Sequence, residues 1–180
     1  TAPLPVKSVG IIGAGTMGGG IAMSLAAIGI PVTLVDASAD GLARGLQRVS
    51  DNYASSVSRG KLTQAQMDQR KALITGSLQM ADVKAADIVI EAVFEDLGLK
   101  QDIFRQIDAL AKPGAILATN TSGLDVDQIA AVTQRPQDVV GAHLFSPAHV
   151  MKLLEVVRGA KTTTDVIATL MDLGRRMGKI

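Results

Sequence analysis

The segment Gly13-Ala14-Gly15-Thr16-Met17-Gly18 stands between a β-branched run, Val6–Ile12, and a proline-free apolar run, Ile21–Ile28, closed by Gly29. Pro31 follows, then Val32–Val35, which ends at Asp36. Strand, glycine turn, helix and strand in so short a span form a βαβ unit. Its strands must be parallel and its crossover right-handed. No other feature restricts the fold as much, since parallel strands need covering layers on both faces.

The rest of the chain repeats the alternation. Ala39 to about Ile74 reads as helical with a turn near Gly60, and it carries Arg44, Arg48, Arg59, Lys61, Arg70 and Lys71. Strands are expected at Asp87–Glu91, Ala115–Thr119, Val139–Phe145 and Lys152–Val157, with helices at Leu97–Ala111, Asp125–Val132 and Thr162–Met177. The spacing predicts an α/β, Rossmann-type doubly wound, mostly parallel sheet with an antiparallel ribbon near its C-terminal end. Thr1–Pro5, with two prolines in five residues, reads as a linker, leaving residues 6–180 as one domain.

Composition narrows the function classes. Net charge is +1 and aromatics are 2%, which argues against a nucleic-acid partner or a base-stacking surface. Cysteine is absent, which removes thiolate chemistry, and the two histidines, His143 and His149, lack metal-ligand spacing, so no metal is expected. No apolar run approaches the roughly 18 residues of a membrane span.

In the glycine segment, Gly13 permits the tight turn, Gly15 lets a pyrophosphate approach the backbone, and Gly18 lets helix and strand pack closely. Thr16 and Met17 open the helix, whose N–H groups and dipole face the phosphates. Asp36 follows Gly18 by 18 residues, where a carboxylate accepts bonds from both ribose hydroxyls and repels a 2′-phosphate. NAD is favoured over NADP, although FAD uses the same fingerprint.

His143 and Glu155 are symmetric about His149. If Ser146–Met151 forms the turn of an antiparallel ribbon, the two side chains face each other. A carboxylate on one imidazole nitrogen fixes the tautomer and leaves the other as a general base, as oxidation of an alcohol requires. A core histidine beside a solvated edge glutamate is the competing reading. Asn120 and Ser122 follow a strand on the edge where such sheets bind ligands, as donors to nicotinamide and substrate or as a turn and helix cap.

With those residues assembled, the chain resembles the NAD-binding half of L-3-hydroxyacyl-CoA dehydrogenase. The resemblance rests on Gly13–Gly18, Glu91-Ala92-Val93-Phe94-Glu95-Asp96, Asn120-Thr121-Ser122 and the run Gly141–Val157. It is nearest the multifunctional fatty-acid β-oxidation enzymes, bacterial or peroxisomal, through Ser146-Pro147-Ala148-His149. Departures are Ser146, where monofunctional relatives more often carry Asn, and Leu144, where an aromatic is common.

The resemblance implies oxidation of L-3-hydroxyacyl-CoA to 3-ketoacyl-CoA with NAD. His143 is then the base, Glu155 its orienting partner and Ser122 the donor to the substrate oxygen. Asp36, Glu95, Lys100 and Asn120 match cofactor-contacting positions, with Ala92 beside the cofactor. Arg59 matches a basic position against coenzyme A. A helical domain is expected to follow in cis beyond Ile180, so residues 1–180 alone would bind NAD and turn over poorly. Oligomerisation of the intact enzyme and a bacterial cytoplasmic or peroxisomal location are implied too. A nucleotide-binding module without catalysis, or a dehydrogenase of another small hydroxy acid, are the alternatives.

Overall fold

The computed structural model describes residues 2–180; Thr1, the first residue of the expected linker, lies outside them. Seven strands form a single sheet: β1 (Val9–Ile12), β2 (Val32–Val35), β3 (Ile74–Ser77), β4 (Ile88–Glu91), β5 (Ile116–Thr119), β6 (Val139–Leu144) and β7 (Leu154–Arg158). Their order is β3-β2-β1-β4-β5-β6-β7, and all neighbours are parallel except β6 and β7. The order reverses between β1 and β4, which leaves a crevice at their carboxyl ends.

Six α-helices cover the sheet: α1 (Thr16–Ala26), α2 (Ala39–Ser58), α3 (Gln64–Ala72), α4 (Leu97–Leu110), α5 (Val126–Ala130) and α6 (Thr164–Arg176). The two-residue alternation of strands sorts the core into two layers. Ile11 and Leu34 face a layer with Ile21 and Leu25 of α1 and Leu170 and Leu173 of α6. Ile12 and Val89 face the other, with Phe104 and Ile107 of α4 and Ile129 of α5. Phe104 is fully buried, so truncation to alanine there costs about 3–5 kcal/mol. Met23, Val49, Tyr53 and Leu62 form a smaller cluster that seats α2 on α1.

Five helices begin with a side-chain cap: Ser38, Thr63, Asp96, Asp125 and Thr163 each accept a backbone N–H of the first turn. At α3 this is a full capping box, with the Gln66 side chain bonding back to Thr63 N. The cap before α1 is Gly15, which offers no side chain.

One sequence expectation fails. The helical region does not run to Ile74; it stops at Ala72, and Ile74–Ser77 is a seventh strand on the sheet edge. Its four residues carry little strand signal because Gly76 sits under α2, where a Cβ would come within 2.8 Å of Leu46 Cδ1. The strand is specified by a tertiary contact. In the N-terminal segment, Leu4 N donates to Thr169 Oγ1 at 2.8 Å.

Candidate functional site

The glycine turn is set by two close approaches. Gly13 has φ +111°, and its N–H donates to Val35 O at 2.7 Å. A Cβ on Gly18 would lie 1.7 Å from Gly13 O, so α1 touches the turn backbone directly. Gly15 differs. Its backbone is extended, at φ −73° and ψ −168°, a conformation open to any residue. A Cβ there would meet no protein atom within 4 Å. Nothing in the protein demands a glycine at 15, whereas a phosphate lying on the backbone would.

The structure therefore fits a dinucleotide at this turn: open space over Gly15, an α1 start at Thr16 and Met17 without a side-chain cap, and an acidic strand end. Asp36 holds the turn as well, its carboxylate accepting from Ala14 N at 3.0 Å and Ser38 N at 2.9 Å. Ala92 lies against the loop, with its carbonyl 2.7 Å from where a Gly13 Cβ would be.

Beside the turn is a cleft of about 250 Å3 lined by Met17, Val93, Glu95, Asn120, Ser122, His143, Leu144, Phe145 and Ser146. All nine come from the four segments singled out in the sequence, Gly13–Gly18, Glu91–Asp96, Asn120–Ser122 and Gly141–Val157. A larger open groove, about 650 Å3, lies at the opposite ends of the strands, near Pro113 and Asp138. Its Arg135 is committed to Asp108 and to the carbonyls of Ala111 and Lys112, so we assign the site to the carboxyl edge.

His143 and Glu155 are direct cross-strand partners in the β6–β7 register. Facing residues of an antiparallel pair share one side of the sheet, and His143 Nδ1 lies 3.3 Å from Glu155 Oε1. The imidazole is mostly covered and the carboxylate about half exposed. So exposed a pair adds at most about 1 kcal/mol of stability, and its effect is orientation. Nε2 has no hydrogen-bond partner among the described residues. The Phe145 ring, which sequence reasoning passed over, flanks the imidazole with centroids 4.3 Å apart.

Below the cleft lies a polar network that the sequence did not announce. Glu91, fully buried at the end of β4, accepts from Lys100 Nζ at 2.5 Å, Val93 N at 2.9 Å and Thr119 Oγ1 at 2.6 Å. Burial raises the Glu91 pKa, against the pull of Lys100 and the other two donors. Lys100 also donates to Val93 O at 3.3 Å and Asn120 O at 3.4 Å, joining the loops after β4 and β5. The Lys100 side chain has no exposed surface, because the ammonium is turned inward to Glu91. Lys100 sits on an amphipathic helix, where a lysine reads as a surface residue, so only the tertiary structure exposes the pairing.

Glu95, 3.7 Å from Lys100, is half exposed in the cleft wall. It accepts from Thr121 Oγ1 at 2.6 Å and from Ser122 N at 3.1 Å and Oγ at 3.3 Å. Partial burial would raise its pKa, but the Thr121 and Ser122 donors and the Lys100 charge outweigh that and hold it low. Asn120 Oδ1 accepts from Leu144 N at 3.0 Å, which leaves its amide NH2 as the available end. Arg59, at the end of α2, is not part of the cleft wall; its Nε donates to Ser55 O at 3.4 Å.

Residues 8–180 match the sequence profile of 3-hydroxyacyl-CoA dehydrogenase, NAD binding domain. The chain is 48% identical over 178 residues to a peroxisomal bifunctional enzyme of Danio rerio, covering 99% of this chain and 24% of that protein. It is 39% identical over 175 residues to a fatty acid oxidation complex subunit alpha of Psychrobacter, covering 97% and 24%. It thus spans about a quarter of the length of these curated relatives. Among solved structures, an (S)-3-hydroxybutyryl-CoA dehydrogenase from Ralstonia eutropha superposes with a TM-score of 0.95 at 39% identity, covering 97% of this chain and 62% of that one. The Rossmann-type sheet, the glycine turn and the match over residues 8–180 agree: the chain belongs to the NAD-binding domain family of the 3-hydroxyacyl-CoA dehydrogenases.

Proposed function

We propose that the intact protein interconverts L-3-hydroxyacyl-CoA and 3-ketoacyl-CoA, with His143 as general base. The observation that carries this reading is the His143–Glu155 pair, in register at the mouth of the cleft next to the glycine turn. When bound, NAD supplies the hydride acceptor at its nicotinamide ring. Glu155 accepts the Nδ1 proton of neutral His143, which leaves Nε2 with its lone pair toward the substrate. Nε2 takes the hydroxyl proton as the hydride leaves C3, and the Glu155 carboxylate stabilises the imidazolium that forms. In the reverse direction the imidazolium returns the proton to the ketone oxygen.

Asn120 and Ser122 are placed to orient the reactants. The Asn120 NH2 is available to a carboxamide or a substrate oxygen. Ser122 Oγ, which donates to Glu95 at 3.3 Å in the cleft wall, is the hydroxyl offered to a substrate oxygen. Gly13, Gly15, Thr16, Met17 and Gly18 bind the pyrophosphate, Asp36 the adenosine ribose, and Arg59 the coenzyme A moiety. Glu95 and Lys100 hold the cleft wall, Lys100 from beneath. A helical domain in cis completes the cleft, in line with the greater length of the relatives. By itself the chain binds NAD and turns over poorly, since much of such catalysis is positioning. The bacterial cytoplasm or the peroxisome is the proposed location.

His143→Ala in the intact protein should lower turnover about 10²–10⁴-fold and leave NAD affinity nearly unchanged. Retained turnover would rule His143 out as the base.

A further inference from the structure

Lys179 follows α6 in sequence, yet it is only 8% exposed. Its ammonium donates to Ala148 O at 2.5 Å and to Met151 O at 2.6 Å. Both carbonyls belong to residues 146–151, the turn that joins β6 to β7. The Ala148 carbonyl also accepts from Ser24 Oγ of α1 at 3.2 Å. Ala148 is itself fully buried against Gly20, where a Cβ would come within 3.0 Å of the Ala148 Cβ. The turn is therefore held from two sides, by the helix that begins at the glycine turn and by Lys179.

The next residue extends the clamp. Ile180 N donates to Lys152 O at 2.6 Å, and Ile180 O accepts from Leu154 N at 2.9 Å. These bonds lie just before Glu155, on a strand that pairs with the sheet through β6 alone. An edge strand takes its position from its single partner, its turn and whatever binds its free side. Here the latter two converge on residues 179–180. Burial lowers the Lys179 pKa, so an ammonium is kept there at a desolvation cost that its two carbonyls offset. Without it, the buried Ala148 carbonyl and the part-buried Met151 carbonyl lose a charged donor.

We propose that Lys179 is a positioning residue for the His143–Glu155 pair, acting through the 146–151 turn that it clamps against α1. This rests on the reading of His143 as the base. A misplacement of the pair by an ångström is enough to slow proton transfer, because the imidazole must meet both the carboxylate and the substrate hydroxyl. A residue that merely stabilised the domain would leave the tautomer and the kinetic split untouched.

Two measurements test it. In the intact native protein, ¹⁵N-imidazole spectra read the tautomer, and His143→Gln and His149→Gln assign the two histidines of residues 1–180. In the wild type, neutral His143 should carry its proton on Nδ1. In Lys179→Met it should shift toward the Nε2–H form favoured by a free imidazole. In the intact native protein, Lys179→Met should lower kcat for acetoacetyl-CoA reduction by about tenfold or more, with NAD Kd within about twofold of wild type. Adding Glu155→Gln to Lys179→Met should cost clearly less than Glu155→Gln alone, since both act on one pair. An unchanged tautomer, an unchanged kcat or fully multiplicative costs would overturn the proposal. If Lys179→Met does not fold, Ser24→Ala removes the α1 donor and must shift the tautomer the same way; no shift refutes the clamp. An inactive wild type would refute the catalytic reading, and the tautomer result would still decide the clamp.

Discussion

Replacing Gly15 by alanine separates the demands of the fold from those of the ligand. The backbone at 15 is extended, and a Cβ there meets no protein atom within 4 Å. The native conformation therefore accepts alanine without strain, and the unfolded chain loses freedom, so stability should hold or rise by about 0.4–1 kcal/mol. The same methyl occupies the space in which a pyrophosphate would lie. An overpacked contact of that kind costs about 1–3 kcal/mol, which weakens NAD binding roughly 5- to 140-fold. Gly18→Ala is the contrast: its Cβ would sit 1.7 Å from Gly13 O, so the fold suffers first. Urea denaturation gives the stability arm and calorimetry with NAD the binding arm. If Gly15→Ala binds NAD as tightly as wild type, the pyrophosphate does not lie over Gly15. If it loses more than about 1 kcal/mol of stability, the account of the backbone is wrong.

Asp36→Ala should weaken NAD binding and narrow the gap to NADP; because Asp36 also accepts from Ala14 N and Ser38 N, a modest fall in Tm should accompany it, and an unchanged NAD affinity would refute the ribose assignment. Lys100→Met strands the Glu91 carboxylate in the core and should cost about 3–5 kcal/mol by urea titration; a loss below about 1 kcal/mol would show that the pair is solvated. Asp87 gives a pH dependence. Partial burial would raise its pKa, but Lys112 at 2.5 Å and the N–H groups of Lys7 and Ser8 more than offset this and hold it below the ordinary value. A folded pKa below the unfolded one means that the unfolded state binds more protons. The stabilisation is complete above about pH 4 and is lost as pH falls through the folded value. Asp87→Asn should therefore be destabilised near neutrality and show a shallower acid slope in urea midpoints between pH 5 and pH 3.

Much of the site was legible because its residues sit at strand ends, where local pattern and chemistry coincide. The glycine turn could be read from spacing, since each glycine answers to a backbone approach within the same βαβ unit. His143 and Glu155 could be paired because antiparallel register follows from counting residues about a turn, and the observed register matches that count. The Glu91–Lys100 contact had no such signal. Nine residues separate the two, one on a strand and one on a helix, and nothing local turns that lysine inward. Lys179 and Ser24 were invisible for the same reason: they meet at Ala148 O from segments more than 120 residues apart. The edge strand β3 was missed because its glycine answers to a leucine of α2.

The sequence by itself determined the parallel α/β class, the dinucleotide turn and the acidic strand end, and it made the facing of His143 by Glu155 follow once a turn over residues 146–151 is granted. Each of these depends on periodicity or on spacing within one supersecondary unit, where geometry is nearly a function of residue count. Only the tertiary structure decided which charges are buried, which loops they tie together, and what holds the β6–β7 turn against α1. Those outcomes depend on packing between distant segments, and burial changes the energy of an ammonium or a carboxylate far more than any local pattern reveals.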